Sequence, residues 1–74
     1  MDFEKVFAVR VWEWEDGIEY RPNLYGDYTE YAARAKYESI VANTNYPQVE
    51  LISFMKNTRT GYTFDEELIE MKEA

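Results

Sequence analysis

The chain has 74 residues, 46% apolar and 18% aromatic, with 8 basic against 15 acidic side chains and a net charge of −7. That length holds one domain with one core, and the aromatic load excludes a disordered chain. With no cysteine and no histidine, disulfide staples, thiol or imidazole catalysis, zinc fingers and haem ligation by those residues are excluded.

The opening Met1-Asp2-Phe3-Glu4-Lys5 is mixed and acidic, and no apolar leader core follows it. The longest apolar run, Val6-Phe7-Ala8-Val9, is far too short to span a bilayer. A cytoplasmic location without membrane contact is the expectation. The negative balance argues against direct binding of nucleic acid, whose phosphates would repel it, and suits a basic protein partner.

Residues 3–14 read as a strand rich in Val, Phe and Trp. Glu15-Asp16-Gly17-Ile18 follows, and Asp-Gly between apolar runs is a strong hairpin signal because a type I′ turn needs positive φ at both central residues. Residues 18–22 form the return strand, which Pro22 ends or confines to a sheet edge. A two-residue turn sets Glu15 opposite Ile18, Trp14 opposite Glu19, Glu13 opposite Tyr20 and Trp12 opposite Arg21. One face then carries Phe7, Val9, Val11, Ile18 and Tyr20, and is the better core face. The other carries Arg10, Trp12, Trp14, Glu19 and Arg21, with Trp12 able to stack on Arg21.

Residues 23–26 read as a loop. Asp27-Tyr28-Thr29-Glu30 fits a capping box, with Thr29 as the alternative cap, and residues 28–42 read as a helix closed by Asn43 to Pro47. Its bulky stripe is Ala33, Tyr37, Ile40 and Val41, and a smaller stripe (Tyr28, Tyr31, Ala32, Ala35, Ala42) lies opposite. The smaller stripe is either solvent-tolerant alanine or a contact with a second chain. Residues 48–56 form a strand, 57–61 a turn, and 62–64 a short returning strand. From Asp65 onward, helix formers with acids at the start predict a helical tail, with a longer final strand as the competitor.

These elements predict an α+β domain over residues 1–74: an antiparallel sheet of three to four strands in the order 2-1-3-4, one main helix across one face, and a helical C-terminal tail. Catalytic machinery is thin. Ser39, Ser53 and the hydroxyl residues have no histidine to activate them, and Glu13, Glu15 and Glu19 sit at a hairpin tip where carboxylates are normally solvated. Asp65-Glu66-Glu67 lacks the spacing and glycine of a calcium loop, and the glycines at 17, 26 and 61 build no phosphate loop. The expectation is a non-enzyme without cofactor or metal.

Trp and Arg are the residues most enriched at binding hot spots. The candidate protein-binding set is therefore Arg10, Trp12, Trp14 and Arg21, with the acidic tip Glu15, Asp16 and Glu19. Either this face is covered by Leu68, Ile69 and Met71 of the tail, or it contacts another chain, including a second copy in a homodimer. Acids gather in residues 1–27 and 57–74, which also admits mimicry of a nucleic-acid backbone. The run from Trp12 to Tyr20, the Tyr25-Gly-Asp-Tyr28 opening of a Tyr/Ala helix and Pro47-Gln-Val-Glu-Leu-Ile52 together resemble small acidic accessory proteins of bacteriophages and prophages. The resemblance implies a role in binding a host protein and assigns no residue a function.

Overall fold

Four strands and one helix follow one another as β1 (Phe3–Glu15), β2 (Glu19–Tyr28), α1 (Glu30–Asn43), β3 (Gln48–Asn57) and β4 (Thr63–Glu73). The computed structural model describes residues 2–15, 19–43 and 46–73. The strands form one antiparallel sheet in the order β2-β1-β3-β4, the predicted order. β2 and β3 both run antiparallel to β1, so they are parallel to each other, and α1 is the crossover between them.

The two central strands carry the apolar runs. Odd residues of β1 and β3 face α1, where Val9, Val11, Val49 and Leu51 pack with Ala33 and Tyr37 of the helix. Ile40 and Val41 join that core from α1, Tyr25 from β2 and Ile69 from β4. The bulky helix stripe is therefore the buried one. Of the opposite stripe, Tyr31, Ala35 and Ala42 face outward and exposed. Thr29 caps the helix: its Oγ1 accepts from the Ala32 amide at 3.2 Å and its carbonyl from the Ala33 amide at 2.9 Å.

Three expectations are corrected. The tail is a strand, not a helix. Its helix-like spacing of apolar residues is made compatible with a strand by two irregularities in its pairing with β3, one between Leu51 and Ile52 and one between Ser53 and Met55. Across the first, Leu68 lies opposite Ile52 and Met71 opposite Glu50, so residues three apart share a face. Near the second, Asp65 takes a positive φ of 54°.

The return strand does not stop at Pro22. It continues through the expected loop to Tyr28, and Pro22 is tolerated because β2 is an edge strand. The hairpin register is shifted by one residue: Glu15 pairs with Glu19, Trp14 with Tyr20, Glu13 with Arg21 and Trp12 with Pro22. A register argued from the turn alone omits the longer part of β2. There, pairing with Val9 packs the partly buried Tyr25 against the core beneath α1, and that contact favours the observed alignment. The Asp16-Gly17 turn itself lies outside the described residues.

The β3–β4 connection is where the sequence places it. Asn57 Oδ1 accepts from the amides of Arg59 (2.9 Å) and Thr60 (3.3 Å), the Asn57 carbonyl accepts from the Gly61 amide (2.8 Å), and Gly61 supplies the φ of 80° that closes the turn.

Candidate functional site

Even residues of β1 and β3 project on the face without a helix. Val6, Ala8, Ile52 and Phe54 form a second buried cluster there. Next to it, near the start of β3, stands Glu50, only 7% exposed. A carboxylate this buried needs compensation. Glu50 Oε1 accepts from Arg10 Nε at 2.8 Å and from the Trp12 indole Nε1 at 2.6 Å. Burial pushes the Glu50 carboxyl up, but the hydrogen bonds from Arg10 and Trp12, with the guanidinium charge and a bond from Gln48, outweigh it and hold the group below the usual carboxylate range.

Arg10 does more than neutralise Glu50. Its two terminal nitrogens donate to both carboxylate oxygens of Glu66, at 3.1 and 3.0 Å. Arg10 is on β1 and Glu66 on β4, so this bidentate pair crosses β3. The guanidinium carbon also lies 5.8 Å from the centre of the Trp12 ring. An ionic strap thus lies across the helix-free face. Ile52, two residues from Glu50 on the same face of β3, is 1% exposed although no helix or second sheet among the described residues packs over it. Beside the strap is a groove of about 520 Å3 lined by Arg10, Leu24, Ile52, Phe54 and residues 63–66.

The candidate residues are therefore divided. Arg10 and Trp12 are brought together, with the Arg10 guanidinium over the Trp12 ring, and the backbone of Arg21 pairs opposite Glu13 rather than opposite Trp12. The tail does not cover this face. Leu68 and Met71 extend it edgeways, each about half exposed, while Ile69 joins the core beneath α1. Trp14, Glu15, Glu19 and Arg21 are placed by backbone register alone, and Asp16 lies outside the described residues.

That register has a consequence. Pairing of β1 with β3 ends at Trp12–Gln48, whereas pairing with β2 runs on to Glu15–Glu19. The hairpin therefore extends past the four-stranded sheet as a two-stranded arm. The chain matches no family model, no curated protein and no solved structure.

Glu50 and Glu66 are the residues the sequence reading missed. The available signal was Glu50 itself, a lone acid inside the apolar run Val49 to Phe54 of a central strand, matched by Arg10 inside the run Val6 to Trp12. Among the described residues no group of carboxylates could hold a metal ion, and no helix is long and apolar enough to cross a membrane.

Proposed function

We propose that this is a cytoplasmic, non-enzymatic protein-interaction domain that grips a basic protein partner through its hairpin arm. The observation that carries the reading is the overhang of β1 and β2 beyond Trp12–Gln48. It sets Trp14, Glu15, Glu19 and Arg21 apart from the body of the sheet, on a ribbon rooted at Trp12. By register Trp14 and Tyr20 take one face of the ribbon and Glu13, Glu15, Glu19 and Arg21 the other, which gives a basic surface an aromatic side and a charged side to meet. The resemblance to phage accessory proteins points the same way, toward a host protein as the partner.

A photo-crosslinking residue placed at Glu15 is expected to give a discrete adduct in host-cell extract, and one at Ala35, on the outer side of α1, none. Adding Trp14→Ala should cut the Glu15 adduct at least tenfold while far-UV circular dichroism is unchanged. Equal labelling from both positions, or an adduct indifferent to Trp14→Ala, would contradict the proposal.

A second reading, mimicry of a nucleic-acid backbone, is favoured by the exposed acids Asp65, Glu66, Glu67, Glu70 and Glu73 along β4. Two of these are partly neutralised, Glu66 by Arg10 and Glu70 by Arg34 at 2.7 Å. Salt separates the readings. Mimicry requires affinity to fall steeply with ionic strength, whereas an arm anchored by tryptophan gives a shallower slope.

A further inference from the structure

We propose that the helix-free face of the sheet is a homodimer interface, and that its occupant is the same face of a second copy related by a two-fold axis. Four observations carry this. The first is where the apolar surface lies. Leu24, Leu68 and Met71 are 56%, 53% and 46% exposed, and all three register on this face, opposite Arg10, Ile52 and Glu50 respectively. They surround the buried cluster of Val6, Ala8, Ile52 and Phe54.

The second is charge. On the strands, Glu13, Glu67 and Glu70 register on the helix-side face, and the acids that register on the helix-free face outside the Arg10 cluster, Glu4 opposite Lys56 and Glu73 opposite Gln48, lie at its two ends. On the helix-free face Arg10 is held by Glu50 and Glu66, and Trp12 donates its indole N–H to Glu50. Covering this network with an apolar surface would leave none of these groups without a partner, which is the condition for burying ionic groups at low cost. A basic partner would have to compete with Arg10 for the same carboxylates.

The third is size. The molecule measures 42 × 25 × 14 Å. One broad face of that slab is close to the roughly 800 Å2 per partner that a standard stable interface needs, and two sheets packed face to face form a familiar sandwich.

The fourth is shape. Gly26 lies beside Ala8, with a Cβ there meeting the Ala8 Cβ at 3.6 Å, so the floor between Leu24 and Ile52 is low. The face carries both a groove of about 520 Å3 and exposed Leu68 and Met71, a recess and apolar side chains of the kind that an isologous contact pairs with one another. Association edge to edge is discouraged by Pro22 on one edge strand and by the irregular pairing of the other.

Sedimentation equilibrium on the full chain tests the proposal. The expected mass is twice that of the chain, and dimerisation should strengthen as sodium chloride is raised, because screening removes the repulsion between two copies of net charge −7. Leu68→Asp and, independently, Leu24→Asp should each weaken dimerisation at least tenfold. Tyr31→Asp, on the outer face of α1, should leave it unchanged. Two variants at opposite edges guard against one failing to fold, and the wild-type mass needs no variant at all. A wild-type chain that stays monomeric at every concentration and salt, or a dimer indifferent to both leucine substitutions, would overturn the proposal. The arm is a separate surface, so Trp14→Ala should cut the Glu15 adduct with a host protein at least tenfold without altering this mass.

Discussion

Arg10→Met is expected to destabilise the fold by about 2–3 kcal/mol at neutral pH. The substitution keeps an unbranched apolar stem of similar reach and removes every ionic contact of the strap. Glu50 would retain Trp12 and Gln48 but lose the bond at 2.8 Å and the adjacent positive charge. Breaking a buried pair from one side typically costs about 3–5 kcal/mol. The figure here is lower because the Arg10 side chain is 23% exposed and Glu66 is half exposed.

The effect should depend on pH. The folded-state pKa of Glu50 lies below its ordinary value, so its contribution is fully present above the unfolded-state carboxylate pKa and is lost as pH falls through the depressed folded value. The gap between wild type and Arg10→Met in urea denaturation should therefore be widest near neutrality and narrow in acid. In the Arg10→Met, Glu50→Leu double variant, no buried charge is left unpaired, and most of the loss should be recovered. A single variant as stable as wild type would mean that the strap contributes nothing.

Leu51→Ala is expected to cost about 3 kcal/mol, within the usual range of about 2–5 for deleting a fully buried leucine. Leu51 is completely buried at the centre of β3, against Val9, Val11, Ala33, Tyr37 and Val49. A domain of this length has a total stability of only about 4–11 kcal/mol, so the variant should show a large drop in urea midpoint. Tyr31→Ala, at an 86% exposed position on α1, should shift the midpoint by less than about 0.5 kcal/mol equivalent. Similar losses at the two positions would contradict the assignment of the helix-side core.

Much of this architecture was legible because hydrophobic period and burial coincide. Alternation along β1 placed Val9 and Val11 on the core side, the stripe Ala33, Tyr37, Ile40 and Val41 identified the face of α1 that packs, and the crossover argument ordered the strands. The tail was not legible, because its composition favours a helix and only pairing with the open edge of β3 makes it a strand. Tertiary context overrides intrinsic propensity in such a segment. The register was not legible from the turn signal, because it also depends on the partly buried Tyr25 packing against the core beneath α1.

At the candidate site, the parity of β1 paired Arg10 with Trp12, but the cluster that holds them needed long-range information. Glu50 lies 40 positions from Arg10 and Glu66 lies 56 away. Neither separation follows from a local pattern. A solitary acid in a buried strand shows only that a cation must come from somewhere.

The most direct measurement is a pH titration of the Trp12 indole N–H by nuclear magnetic resonance, with Trp14→Phe removing the second indole signal. A Trp12 N–H that donates to Glu50 at 2.6 Å should exchange slowly with solvent. Its shift should follow a single carboxyl titrating below the ordinary carboxylate range, and Arg10→Met should move that titration to higher pH. A rapidly exchanging indole, insensitive both to pH and to Arg10→Met, would contradict the claim that an ionic cluster closes the helix-free face.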